Sequence, residues 1–356
     1  MNFKKGIATV ALMAIGVRAA LAVGANPSAR EWLSELAENK GLMTASLSLE
    51  FGGREPEKGL QAAPTTEEEN AEREKPSLPR ESLPPFPSEV KIPKKEKPPE
   101  DKKIVVLPTT IAGGMVLSND TSFKVDLEAL VSQGPSTKLP TEGMQVLIIH
   151  THGSEAFSPD ATSGEYMPTD SFRSSDTRYN IVRVGDEITA CLESYGISVL
   201  HDREIYDYPS YTGSYARSGA AIEKHLAEHP EIAIVLDVHR DAIGTDDVIY
   251  KTVAEANGQP CSQLMLLAGT GENGLAHPNW QENLKLALYL QSAVIEKHPT
   301  LARPIALKKE RYNQQLTKGS LILEVGSSGN TLSEVLCAAR LFAESVAPKL
   351  LELRNL

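Results

Sequence analysis

Histidines and carboxylates follow directly on apolar runs at three places in the chain. Val146-Leu147-Ile148-Ile149 leads into His150-Thr151-His152-Gly153, Ile234-Val235-Leu236-Asp237-Val238 into His239-Arg240-Asp241, and Leu321-Ile322-Leu323 into Glu324-Val325-Gly326. Polar groups in that position fall at the carboxyl-terminal tips of strands, where the crevices of α/β sheets lie. Two neutral imidazoles and a carboxylate suit zinc, which in catalytic sites takes three protein ligands and keeps one position for water. A further carboxylate that is not a ligand can serve as general base for that water. One histidine in such a place is more often a satisfied core or capping residue; recurrence at three tips is what favours a site. No HExxH occurs, so the zinc helix of that motif is excluded.

Positioning these groups requires alternating strands and helices, and the pattern from Ile104 onward supplies them. Strands are expected at 146–150, 197–200, 232–239, 263–268, 305–308 and 321–325. Helices are expected at 179–195, 214–229, 280–298 and 332–351. The alternation predicts an α/β domain, 104–356, with a mostly parallel sheet and helices on both faces.

What precedes it has another composition. Met-Asn-Phe-Lys-Lys opens onto an apolar stretch to Ala25 interrupted by Arg18, which reads as an export signal or an uncleaved membrane anchor over 1–25. Either alternative places the working domain on the extracytoplasmic face of the cell membrane. Residues 26–103 hold charge runs and ten prolines between Pro56 and Pro99, with a short amphipathic helix expected only near 28–40. The rest is read as an extended low-complexity linker, because it cannot bury enough apolar surface to offset ordering entropy.

The net charge of −11 argues against a nucleic-acid binder held by bulk phosphate attraction. Cys191, Cys261 and Cys337 lack CxxC spacing and read as neither a disulfide framework nor a cysteine zinc site, with Cys191 and Cys337 as core residues. Gly269-Thr270-Gly271-Glu272-Asn273-Gly274 fits GxGxxG, but no helix follows closely enough for dinucleotide binding. Gly326-Ser327-Ser328-Gly329 does not meet GxSxG, which argues against a serine hydrolase.

Longer segments carry a family likeness. His150-Thr151-His152-Gly153-Ser154-Glu155, Asn180 to Gly185, His201-Asp202, Tyr208 to Tyr215, Asp237 to Asp241, His277 to Asn283, Arg311 to Gln314 and Leu323 to Gly326 resemble the stage II sporulation protein P family, in unbroken order from about 104 to 350. The resemblance implies a membrane-anchored, zinc-dependent peptidoglycan hydrolase of forespore engulfment. It would remove stem peptides from glycan as an N-acetylmuramoyl-L-alanine amidase and cut peptide crosslinks. It also implies a phosphorylase/hydrolase-like amidase core. The implied partners are peptidoglycan, stage II sporulation protein D and a multispanning membrane protein.

Carried onto this sequence, the amidases' Gly-His-Gly-Gly turn is matched best at Thr151 to Ser154, making His152 the first ligand and His150 the alternative. Their Ser-Ile-His tripeptide matches Asp237 to His239, making His239 the second. Glu324 matches the catalytic glutamate, although the phenylalanine of that pattern is missing. Those amidases take the third ligand from a glutamate opening the first helix, and no glutamate stands there. Asp176 is favoured, with a helix N-cap as its ordinary alternative, and Glu155 is second. Substrate contacts are expected at Arg240, unless it serves a structural salt bridge, at Tyr211 in a hydroxyl-rich loop, and by likeness at Asn180, Asn283 and Asn313. The competing function is a catalytically silent wall-binding scaffold that recruits another hydrolase.

Overall fold

The computed structural model describes residues 103–106, 115–160, 166–169, 171–245, 248–256 and 258–354. The expected signal or anchor and almost all of the linker lie outside them. Among the described residues no helix is long and apolar enough to cross a membrane.

Among the described residues seven strands form the central sheet: β2 (Leu117–Asn119), β3 (Val146–Ile149), β4 (Val199–His201), β5 (Ile234–Asp241), β9 (Leu264–Gly269), β10 (Ile305–Lys308) and β11 (Ser320–Ser327). Their spatial order is β2-β10-β9-β11-β5-β3-β4. All neighbours pair parallel except β11 and β9, so the sheet is two parallel halves joined by one antiparallel seam. Every residue of β3 is buried, as a strand covered on both faces must be, which is why its sequence is continuously apolar rather than alternating.

Alternate residues of each strand supply the two faces. Val146, Ile148, Leu236, Val238, Leu321 and Leu323 pack on one side with α2 (Ile181–Ser194), α4 (Trp280–Lys297) and α5 (Leu332–Glu352). Leu147, Ile149 and Val235 face the other side, under α3 (Ser214–Glu228) through Ile222. Helix starts follow local chemistry: Asn180 Oδ1 accepts from Val182 N to cap α2, and Thr331 with Glu334 forms a capping box on α5. The expected α/β class and its principal elements are thus present. Outside them lie the short helix α1 (Leu127–Gln133) and two small sheets, β1 (Lys103–Val106) with β6 (Val248–Lys251) and β7 (Ala254–Ala256) with β8 (Gln259–Cys261). Gln259-Pro260-Cys261 is too short and too polar to announce a strand by periodicity.

The cysteine reading is corrected. Cys261 and Cys337 are joined in a disulfide that fastens β8 to α5, and Cys191 alone is free. The two cysteines are 76 residues apart, and closing a loop of that length is worth about 4 kcal/mol of denatured-state entropy. Reduction should therefore lower the free energy of unfolding by about that amount, read as an earlier denaturant midpoint in dithiothreitol. Titration of three thiols in the denatured, unreduced protein would refute the bridge.

Candidate active site

Strands β3, β5 and β11 lie side by side, and their carboxyl-terminal tips bring the three polar groups together. Glu324 pairs in register with His239 on the neighbouring strand, so both side chains share one face. The His152 and His239 rings stand 5.3 Å apart and nearly perpendicular. Glu155, three residues beyond His152, folds back so that its Oε2 lies 3.4 Å from His239 Nδ1 and accepts from the Arg240 backbone N at 3.1 Å. His239 Nε2 rests 2.8 Å from Asp237 Oδ1 on the opposite side. Asp237 is itself held by the N–H and hydroxyl of Thr151, at 2.8 and 2.6 Å. A carboxylate behind the far nitrogen of a histidine is the arrangement that orients metal-ligating imidazoles.

Electrostatics follow from crowding these groups in a dry place. Burial opposes charge on Glu155, yet Arg240 and His239 overcome it and hold its carboxyl well below the usual range. Burial likewise opposes a charge on His239, and Asp237 and Glu155 overcome it, raising its pKa well above that of a free imidazole. His152 is pushed down to about 4 by burial and by the neighbouring His239. Glu324 is pushed up to about 8 by burial, with Glu155 and Asp241 adding to the rise against His239. The carboxylates around His239 call for positive charge between them, which a bound dication would supply.

Among the described residues no three His, Cys, Asp or Glu side chains already stand as a metal cage. The donor chemistry nevertheless fits one. His152 Nδ1 and Glu324 Oε2 are buried without hydrogen-bond partners, beside His239 and an ionised Glu155. His152, His239 and Glu155 are the residues that would hold zinc, leaving Glu324 as the carboxylate beside it.

Two expectations about ligands change. Asp176 gives both carboxylate oxygens to Arg178, with Nη2 to Oδ2 at 2.6 Å, and it is not a cap, since Asn180 opens the helix. The order of preference between Asp176 and Glu155 is therefore reversed. His150, the alternative to His152, continues the opposite face of β3. Its Nδ1 meets Val238 O at 2.9 Å and its Nε2 meets His201 Nε2 at 2.8 Å. Gly185 of α2 lies against that pair; a Cβ there would come within 2.5 Å of His201 Nε2 and 2.6 Å of His150 Nε2.

Four residues expected at the substrate are engaged by the protein's own main chain. Arg240 is buried, with Nε donating to Ala156 O and Nη2 to Ser171 O and Phe172 O. Asn180 caps α2 and donates to Ser174 O. Asn283 is buried and donates to Gln314 O. Asn313 donates to Tyr215 O at 2.7 Å and so ties its own turn to α3. Each of these four side chains donates to a main-chain carbonyl of the protein. Tyr211, by contrast, stacks on His152 with ring centroids 4.4 Å apart while remaining 56% exposed.

The sequence reading did not find Asp207 or Arg173. Asp207 accepts from Ser154 N and Oγ, at 3.0 and 2.6 Å, and from Arg173 Nη1 at 2.5 Å. Neither follows an apolar strand; their loops converge only in the folded chain.

The fold and the cluster define an α/β protein with a histidine and carboxylate site at the tips of adjacent parallel strands. The profile of stage II sporulation protein P (SpoIIP) matches residues 39–347, and the chain belongs to that family. The stage II sporulation protein P of Bacillus subtilis (strain 168) is 29% identical over 210 residues, covering 56% of this chain. The chain spans about half the length of that curated relative, 49%. Solved structures that it resembles include N-acetylmuramoyl-L-alanine amidase AmiC2 of Nostoc punctiforme, 14% identical with a TM-score of 0.36, over 60% of this chain and 98% of that one. Another is the amidase Ami1 of Mycobacterium smegmatis, 11% identical with a TM-score of 0.35, over 61% and 99%.

Proposed function

We propose that this chain is a zinc-dependent peptidoglycan hydrolase that acts in forespore engulfment, removing stem peptides from glycan and cutting peptide crosslinks. The observation that carries the reading is the placement of Glu324 in register beside His239, with His152 and Glu155 completing a donor set. Family membership supports the biological setting.

Zinc held there would polarise the scissile carbonyl and lower the pKa of water towards about 7. The protein's own groups do the rest. Asp237 Oδ1 lies 2.8 Å from His239 Nε2 while Nδ1 faces Glu155, so the ring stands between two carboxylates. Arg240 keeps Glu155 ionised. Glu324 takes a proton from the attacking water and returns it to the leaving nitrogen; burial raises its pKa, which lets it hold the proton in transit, and the positive charge of a bound dication would favour the ionised form that accepts it. Tyr211 offers an exposed aromatic edge at the mouth.

The extracytoplasmic location belongs to this proposal and is supported by the Cys261–Cys337 bridge, since such bonds persist in oxidising compartments. Cooperation with stage II sporulation protein D and a multispanning membrane protein belongs to it too. The test is digestion of purified sacculi by the metal-loaded protein. Release of stem peptides is expected, with loss in EDTA and recovery on adding zinc, and mass analysis of products from defined muropeptides separates amidase from endopeptidase cleavage. Binding of sacculi with no release would favour the scaffold.

A further inference from the structure

Arg173 stands at the rim of the cluster in a way that structural duties do not exhaust. Its Nη1 donates to Asp207 Oδ2 at 2.5 Å and to Ser154 Oγ at 3.0 Å, and its guanidinium carbon lies 5.0 Å from the centre of the Tyr211 ring. Nη2 is 3.9 Å from Glu155 Oε1, near enough for Coulomb attraction and too far for a hydrogen bond. Among the described residues its Nε–H and both Nη2 protons meet no acceptor within hydrogen-bond distance, and 27% of the side chain is open to solvent.

The backbone holds this group in place. Phe172, the preceding residue, has φ of 54°, a conformation costly to a bulky side chain and tolerated only where its surroundings enforce it. Here Arg240 Nη2 donates to Phe172 O and Ser171 O, Ala156 N donates to Phe172 O, and Glu155 and Arg173 form an antiparallel bridge. Glu155 and Arg173 are thus held opposite each other on two segments joined by main-chain hydrogen bonds. A planar fork with free parallel donors matches a carboxylate, which can accept from Nε and Nη2 together.

We infer that Arg173 is the substrate-contacting residue that receives a free carboxylate of the peptide portion of the substrate. This rests on the peptidoglycan reading above, because stem peptides carry free carboxylates near the amides to be cut. Arg240, which the sequence offered for this role, is already occupied by main-chain carbonyls.

The experiment uses two synthetic muropeptides identical except that one has its carboxylates free and the other has them amidated. Affinity is measured by calorimetry with the zinc-loaded protein carrying Glu324→Gln, so that the ligand is not consumed. The same pair is then given to the protein with Glu324 intact to measure turnover. The free-carboxylate peptide should bind about 10–100-fold more tightly, as charged hydrogen bonds are worth. Arg173→Gln should erase that preference, and Arg173→Lys should keep part of it. Should Arg173→Gln weaken both peptides equally, or should the unaltered residue show no preference, the inference is overturned and Arg173 only braces Asp207 and Glu155. Retained preference without turnover of either peptide would instead count against the hydrolase reading and leave Arg173 as a carboxylate receptor.

Discussion

Glutamine in place of Glu324 should lower turnover of muropeptides by about 10²–10⁴-fold, the range general acid–base groups supply, with zinc content and thermal midpoint nearly unchanged. The expectation rests on Glu324 being paired in register with His239 while its Oε2 has no partner. Glutamine keeps the shape and gives up the proton transfer, so the loss should fall on kcat rather than on KM. Single-turnover kinetics on the metal-loaded protein would decide it. Activity within a few-fold of the parent would remove Glu324 from the chemistry and leave the metal proposal without its base.

Exchanging Glu155 for glutamine should have a different signature, loss of metal rather than of the chemical step alone. Partners behind a ligand typically matter about 10–100-fold in metal affinity, and a ligand itself should matter more. Competition against a chelating dye reads this directly. The parallel exchange Asp176→Asn is expected to leave zinc affinity where it was, because that carboxylate is spent on Arg178. The reverse pattern, with zinc lost on altering Asp176 and kept on altering Glu155, would overturn the assignment made from the geometry. Recovery of bound zinc and activity in Glu155→Asp would support a coordinating role over a purely packing one.

Strand tips were the most legible feature of the chain, because a polar residue directly after four buried apolar ones has few other places to be. His152, His239 and Glu324 were readable on that ground, and the parallel half of the sheet made their convergence an expectation. The third ligand candidate was not readable in the same way. Glu155 belongs to a turn that approaches His239 only after bridging to Arg173, a contact that depends on tertiary closure rather than on period. Asp176 had the right distance along the chain, but an arginine two residues away satisfies it locally. His150 shows where strand parity stops applying: two positions apart, His150 and His152 would share a face in a continuing strand, but the strand ends at Ile149 and the turn beyond it leaves His150 on the opposite layer. The disulfide was hidden for another reason. Two of three widely separated cysteines can pair only if a short hairpin is laid against the last helix; Asn257-Gly258 is a hairpin signal in the sequence, but the three-residue runs beside it show too little alternation to read as strands, and nothing local sets them against that helix.

A tight clearance lies behind the site, where the helix carrying Gly185 rides directly on the His150–His201 couple. Even one methyl group there would have to lever that helix away from the sheet or tilt the two rings. Because the same short segment continues into His152, such a wedge would be transmitted forward to the mouth without altering any residue that lines it. Loss of function from a change at position 185 would then be mistaken for a defect in the reacting groups unless the rear of the sheet were inspected too.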